Sequence, residues 1–110
     1  MIKISLRYPY QENVRFDIDY YVNTHAPWAR KLMGAALKGY EIAQGVSGRE
    51  PGSDPTNVAI ANLYFDSVDD FRSSYGPNAA EIHSDSPNYT DIQPARQISQ
   101  VKGSSVPKVE

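Results

Sequence analysis

The 110-residue sequence contains no cysteine. Disulfide bonds, thiolate nucleophiles and cysteine-based zinc or iron–sulfur sites are therefore excluded for this chain. It also lacks an excess of charge of either sign, because 11 basic and 13 acidic residues leave a formal net charge of −2. A nucleic-acid-binding domain usually carries a basic face or a strongly basic composition, so nucleic acid is not expected as a partner.

Long apolar runs are missing as well. The first residues alternate between polar and apolar types, which is unlike a signal peptide, and no run approaches the ~18 apolar residues of a membrane-spanning helix. We therefore expect a cytoplasmic protein with no membrane partner. The sequence has no phosphate-binding loop, nucleophile elbow or dinucleotide fingerprint. Its two histidines lack the spacing of metal ligands, so neither a metal nor another cofactor is expected.

What the chain has in abundance is tyrosine, with eight in a short sequence. Tyrosine combines a ring that can be buried with a hydroxyl that can form hydrogen bonds, so it suits strands, interfaces and pocket walls. Two interpretations stay open at this point: the tyrosines serve the core and the strands, or some of them line a pocket.

The hydrophobic pattern predicts the order strand, helix, strand, strand, helix, strand. Period-two alternation predicts strands over residues 2–8, 40–47, 58–65 and about 93–101. This order is that of an α+β, ferredoxin-like βαββαβ domain with a four-stranded antiparallel sheet. We expect the domain to span residues 1–102 and a flexible C-terminal tail to occupy residues 103–110.

Local signals mark where the two predicted helices begin, break and end. Spacings of three and four predict one apolar stripe on the first helix, formed by Ile18, Tyr21, His25, Trp28, Leu32 and Ala36. Pro27 predicts an interruption near residues 25–27, and Gly39 is the expected stop signal. Ser67 and Asp70 have the spacing of a capping box at the start of the second helix.

The predicted sheet has a face that needs a cover. Two helices cover only one side of a four-stranded sheet. The third predicted strand is nevertheless apolar on both sides, with Val58, Ile60 and Tyr64 on one and Leu63 and Phe65 on the other. A large apolar patch tends to associate rather than stay in water. The pattern therefore predicts a homodimer that forms through the open sheet face.

Two motifs resemble the signatures of the EthD-like family, whose name comes from ethyl tert-butyl ether degradation. The N-terminal motif is Phe16-Asp17-x-Asp19-Tyr20-Tyr21-x-x-x-His25-x-Pro27. The C-terminal motif is Asp85-x-Pro87-Asn88-Tyr89-Thr90-Asp91, followed by Pro94-x-x-Gln97-Ile98-Ser99. The resemblance spans about residues 1–101. It implies a dimeric α+β barrel in which the sheets of two subunits pack together.

The resemblance also implies a range of functions. The namesake accompanies a cytochrome P450 oxidation system, and wider relatives of the barrel include cofactor-free monooxygenases, polyketide cyclases and lactone isomerases. The fold alone does not select among them. We expect a protein that binds a small apolar or aromatic metabolite of a catabolic pathway and transforms it without a cofactor by oxygenation, isomerisation or cyclisation. The alternative is a non-catalytic accessory protein of a P450-type degradation system.

Two histidines are candidates for catalysis. His25 is the first, because histidine exchanges protons near neutral pH and this one lies on the apolar stripe. Its other interpretation is structural, as a residue that holds the helix break. His83 is the second candidate, suggested by a similarity to the polyketide cyclases of this barrel class. Its other interpretation is an exposed histidine at a helix end.

The expected substrate-binding residues surround these histidines. They are Tyr21, Trp28, Asn62, Asp85 and Tyr89. Tyrosine and tryptophan would form the pocket wall, and Asn62 would offer an amide from a strand. For Asp85 and Asp91, which bracket the C-terminal motif, two roles stay open: they build the loop through local hydrogen bonds, or they form the rim of a pocket.

Overall fold

The computed structural model describes residues 1–105, so residues 106–110 of the predicted tail lie outside the described part of the chain. The strands are β1 (Ile2–Pro9), β2 (Gly39–Gln44), β3 (Asn57–Phe65) and β4 (Ala95–Gln100). The α-helices are α1 (Ile18–Tyr20), α2 (Ala26–Met33), α3 (Val68–Tyr75) and α4 (Ala79–Ser84). A π-helical turn at Tyr21–His25 joins α1 to α2. The predicted fold class, α+β, and the predicted order of elements are confirmed.

The four strands form one antiparallel sheet in the order β2-β3-β1-β4. The register places Ile4 opposite Leu63 and Tyr8 opposite Ala59, so even-numbered residues of β1 share a face with odd-numbered residues of β3. The helices cover this face, where Ile4 and Phe65 are 1% and 0% exposed. Full burial of one such side chain contributes about 1.5–3 kcal/mol. The main core therefore lies between this face and the helices.

The first helix is interrupted directly before Pro27. Because proline has no backbone N–H, the regular ladder of hydrogen bonds cannot continue through this position. The amide of Ala26 instead bonds to the carbonyl of Tyr21, five residues earlier, which closes a π turn. The predicted interruption is confirmed. The wider turn moves the buried stripe to positions spaced by four residues, which are Tyr21, His25, Ala29 and Met33.

The caps of the two helical regions follow from single residues. Gly34 and not Gly39 ends α2, so the expected stop signal was wrong. Gly34 adopts a φ of 74°, a left-handed conformation that suits glycine, whereas Gly39 already begins β2. At the start of α3, the Ser67 hydroxyl accepts a hydrogen bond from the Asp70 amide at 3.0 Å. That predicted cap is confirmed.

The other face of the sheet is open in the single chain. Its larger apolar side chains, Ile60 and Tyr64, come from β3 and are partly exposed. Val58, which was expected beside them, lies at a shift in the strand register and packs against the buried cluster of Tyr8 and Ala59. Beside Ile60 and Tyr64, the Ser5 hydroxyl donates to Oδ1 of Asn62 at 2.7 Å, and Nδ2 of Asn62 donates to Oε1 of Glu41 at 2.9 Å. The open face therefore combines apolar side chains with a hydrogen-bonded polar row that crosses three strands.

A buried hydrogen bond joins α3 to the end of α2. The hydroxyl of Ser74 donates to the carbonyl of Met33 at 2.7 Å. The last carbonyls of a helix have no partner within the helix itself. Ser74 supplies the donor that this carbonyl would otherwise lack.

We expect Ser74→Ala to lower the free energy of unfolding by about 1–2 kcal/mol relative to Ser73→Ala, because it leaves a buried carbonyl without its donor. Ser73 is the exposed neighbour on the same helix, so its substitution matches the change in helix propensity. Urea unfolding followed by circular dichroism measures both variants. Equal transition midpoints with equal slopes would contradict this role of Ser74.

Candidate active site

A cavity of about 320 Å³ lies between the covered face of the sheet and the helices. Its lining is mainly apolar, with Leu6, Ala61 and Leu63 from the strands and Met33 and Ile82 from the helices. Within residues 1–105, no aspartate, glutamate, lysine or arginine is among its lining residues. Placing an unpaired charge in such a site is costly. The cavity therefore suits a small uncharged ligand.

The π turn and Asp85 hold His25 in the wall of this cavity. His25 is only 6% exposed, and its Nδ1 lies 2.8 Å from Oδ2 of Asp85. Asp85 is the residue at which α4 ends. Because Nδ1–H donates a hydrogen bond to the Asp85 carboxylate, Nε2 is the ring nitrogen that remains for a molecule in the cavity.

Three donors fix the carboxylate of Asp85. Besides His25, the hydroxyl of Tyr20 and the side-chain amide of Asn88 each donate to Oδ1 at 2.8 Å. Burial alone would raise the pKa of Asp85, but the three hydrogen bonds, led by the one from Asn88, lower the pKa below its ordinary value of 3.8. Asp85 is therefore ionised at neutral pH.

His25 is neutral at the same pH. Burial lowers the pKa of His25 below its ordinary value of 6.5, although the hydrogen bond and the charge of Asp85 act in the opposite direction. The proton on Nδ1 points to Asp85, and Nε2 carries a lone pair. If Nε2 takes up a proton, the adjacent carboxylate stabilises the resulting imidazolium. The pair has the geometry and the protonation states of a general base.

The loop that follows α4 is tied to the segment before α1. The Arg15 guanidinium donates to the Pro87 carbonyl at 2.6 Å and to the Asp91 carboxylate at 3.1 Å. In return, the hydroxyl of Thr90 donates to the carbonyl of Arg15 at 2.7 Å. Of the two roles that stayed open for these aspartates, Asp91 has the one in building the loop, through its contact with Arg15. Asp85 is hydrogen-bonded to His25 next to the cavity.

Aromatic rings surround His25. The ring centres of Tyr21 and Tyr89 lie 5.2 and 4.7 Å from that of His25, and both tyrosines line the cavity. Tyr8 lines it as well, with its hydroxyl oxygen 3.4 Å from that of Tyr21. Burial raises the pKa of all three phenols above the ordinary value, so they remain protonated at neutral pH.

His83 lies elsewhere in the cavity wall, on α4. Its Nε2 is hydrogen-bonded to the hydroxyl of Tyr75, which also lines the cavity. The Arg96 guanidinium lies 6.0 Å from the centre of the Tyr75 ring. His83 is exposed and, among the residues that the structure describes, has no carboxylate partner like that of His25. The structure therefore singles out His25 as the buried, oriented histidine.

Three predicted binding residues do not line the cavity: Asp85, which is hydrogen-bonded to the lining residue His25, and also Trp28 and Asn62. Trp28 is not a lining residue, because the π turn moves the cavity-facing stripe to Ala29; its ring centre still lies 5.8 Å from that of His25. Asn62 belongs to the open face of the sheet, since even-numbered residues of β3 point away from the helices. The expectation that these three residues face this cavity is corrected accordingly.

The prediction from sequence also missed several tyrosines at the site, among them Tyr8, Tyr20 and Tyr75. Tyr8 continues the alternation of Ile2, Ile4 and Leu6 and so shares their covered face. Tyr20 stands inside the N-terminal motif and bonds Asp85, while Tyr75 belongs to the apolar stripe of α3. Each of these residues had a visible signal, but all three signals are equally typical of core residues.

The fold and the cavity define a small α+β protein with a histidine–aspartate pair between its sheet and its helices. The model of the EthD domain family matches residues 14–93. An EthD-like protein of known structure from Ralstonia eutropha is 38% identical, with 94% of each chain covered and a TM-score of 0.91. The chain therefore belongs to the EthD family.

Two more distant structures share the fold alone. An EthD family protein from Bacillus halodurans is 18% identical, with 92% of this chain and 98% of that chain covered and a TM-score of 0.63. A protein from Arabidopsis thaliana is 13% identical, with 96% and 100% covered and a TM-score of 0.66. No curated protein sequence matches the chain.

Two features are absent from residues 1–105, a metal-binding cluster and a membrane-spanning helix. No group of three or more histidine, cysteine, aspartate or glutamate side chains in this range could hold a metal ion. None of the helices there is both long and apolar enough to cross a membrane.

We expect the His25 ring to titrate below pH 6.5 in the folded chain, and the pKa to fall further in Asp85→Asn, which removes the carboxylate that raises it. Below pH 6.5 the unfolded chain then binds a proton that the folded chain does not. This residue therefore lowers the free energy of unfolding as the pH decreases from 6.5 to the pKa of the folded state. Nuclear magnetic resonance of the imidazole measures the midpoint.

Asp91→Asn is the matched control, because Asp91 lies on the same loop and pairs with Arg15 rather than His25. It should leave the His25 midpoint unchanged. A wild-type midpoint at or above 6.5 would contradict the neutral state assigned to His25.

Proposed function

We propose that the chain binds a small, uncharged and largely apolar molecule in this cavity and that His25 removes a proton from it without a cofactor. The observation that carries the proposal is the 2.8 Å contact between Nδ1 of His25 and Asp85 in the wall of the cavity of about 320 Å³. Such a cavity holds a metabolite of one or two rings.

The chemistry of the pair supports this role. A base in an apolar site works best when its pKa lies near the operating pH, and a positioned base contributes about 10²–10⁴-fold to a rate. Burial and Asp85 act on the pKa of His25 in opposite directions, so the imidazole is neutral yet able to accept a proton. Oxygenation, isomerisation and cyclisation of a carbon acid all begin with such a proton transfer.

The setting that we propose for this reaction is a catabolic pathway in the cytoplasm. The family name, which refers to ethyl tert-butyl ether degradation, supports a small apolar compound as the molecule bound. The competing function is that of a non-catalytic accessory protein of a P450-type system. In that case the cavity only holds its ligand, and His25 and Asp85 stabilise the π turn.

We expect the wild-type chain to accelerate the exchange of the acidic C–H protons of 2-tetralone in deuterated water. His25→Asn should lower the protein-dependent rate about 100-fold, because asparagine still offers an N–H to Asp85 but has no basic nitrogen. Proton nuclear magnetic resonance measures the exchange, and Asp91→Asn serves as the control. A ligand-binding chain that accelerates no exchange, or a His25→Asn variant with the wild-type rate, would favour the accessory function.

A homodimer through the open sheet face forms the second part of the proposal. Ile60 and Tyr64 lie on this face and stay partly exposed in the single chain. The same face carries both signs of charge, with Lys3 and Glu41, so two copies can meet without a large excess of like charge. A second copy of the sheet is the simplest cover for such a surface.

Sedimentation at micromolar concentration should give the mass of two chains for the wild-type protein. Ile60→Asp places a charge in the centre of the open face and should give the mass of one chain, because a buried unpaired charge is costly. Val46→Asp is the control, since Val46 is 92% exposed outside the sheet. A wild-type monomer would contradict the proposed assembly.

A further inference from the structure

Three phenol hydroxyls come together in the cavity beside His25. Tyr8, Tyr21 and Tyr89 all line the cavity and are only 3%, 4% and 3% exposed. The hydroxyl oxygens of Tyr8 and Tyr21 are 3.4 Å apart, which is long for a hydrogen bond between hydroxyls. The Tyr89 hydroxyl lies close enough to Tyr8 and Ser86 for both to act on the pKa of its phenol.

These hydroxyls can donate hydrogen bonds to a molecule in the cavity. Each phenol carries one donor proton, and burial raises the pKa of all three, so none ionises at neutral pH. The Tyr8–Tyr21 contact joins two of the three hydroxyls, and at 3.4 Å it is a weak hydrogen bond. That contact uses one proton. Because this contact is long and all three residues line the cavity, a ligand that brings an acceptor oxygen can receive a stronger hydrogen bond from them.

The donors stand next to the proposed base. The rings of Tyr21 and Tyr89 pack against the His25 ring, with centres 5.2 and 4.7 Å from it. Nε2 of His25 and the three hydroxyls therefore belong to side chains that line the same cavity. A ligand complementary to both must carry an acceptor oxygen and, next to it, a hydrogen that a base can remove.

We infer that the hydroxyls of Tyr8, Tyr21 and Tyr89 form a subsite for the carbonyl oxygen of an uncharged ketone whose neighbouring C–H group faces His25. This inference rests on the proposed function of His25 and names the class of substrate. Tyr8, which lies outside both sequence motifs, becomes a residue that determines specificity. A carboxylate ligand is disfavoured, because the burial that raises the pKa of these phenols also makes it costly to place any other anion in the cavity.

The subsite also has a role in the proton transfer. The C–H bond breaks, its proton goes to Nε2 of His25, and its electron pair forms a carbon–carbon double bond while the carbonyl pair moves to oxygen. The phenol hydroxyls donate hydrogen bonds to the enolate oxygen and stabilise its negative charge. Nε2–H then returns the proton to the same carbon or to another carbon of a conjugated system. The step consumes no oxidant and no cofactor.

Binding of two matched probes tests the subsite without any proton transfer. 2-Tetralone and tetralin share a carbon skeleton and differ by the carbonyl group. Isothermal titration calorimetry gives a Kd for the ketone and for the hydrocarbon. We expect Tyr8→Phe and Tyr89→Phe each to lower the preference for the ketone about three- to tenfold, because each removes one hydrogen bond to its oxygen. The Kd for tetralin should stay close to that of the wild type.

Tyr10→Phe is the matched control, since Tyr10 is exposed and does not line the cavity. A preference for the ketone that is the same in Tyr8→Phe, Tyr89→Phe and the control overturns the inference. Failure of the base alone would instead appear in the exchange assay with His25→Asn, while the probe preferences stayed as expected. A wild-type chain that binds neither probe overturns both the inference and the cavity as a binding site.

Discussion

The hydrogen bond between His25 and Asp85 is the contact on which the rest of the site depends. It joins the π turn of the first helical region to the end of α4, two segments that lie 60 positions apart in the sequence. The Asp85 carboxylate is positioned in turn by Tyr20 and Asn88. One contact therefore sets the tautomer of the imidazole, the ring nitrogen that faces the cavity and the orientation of the neighbouring loop.

Burial determines the chemistry of this region more than charge does. Burial disfavours the charged form of each titratable group here. The phenols of Tyr8, Tyr21 and Tyr89 therefore stay protonated, and the imidazole of His25 stays neutral. Asp85 is the exception, and three donors compensate its negative charge. The result is a cavity whose donors and acceptors are nearly all neutral, which selects ligands by the positions of their oxygen and hydrogen atoms.

Much of the fold was accessible from the sequence, because period-two and helical patterns are strong where each element has one buried face. The site was less accessible. Trp28 was assigned to the cavity on the assumption of a regular helix, and a π turn is not visible in apolar spacing alone. Asn62 was misplaced because β3 is apolar on both sides. Only its pairing with β1 shows which of its faces the helices cover.

Trp28 lies just outside the cavity, so its fluorescence can report on the state of the site. It is the single tryptophan of the sequence, so all indole fluorescence originates from one ring 5.8 Å from His25. A protonated imidazole quenches a nearby excited indole more strongly than a neutral one does. The emission of the unmodified protein therefore follows the charge on His25 directly, in real time and without a label.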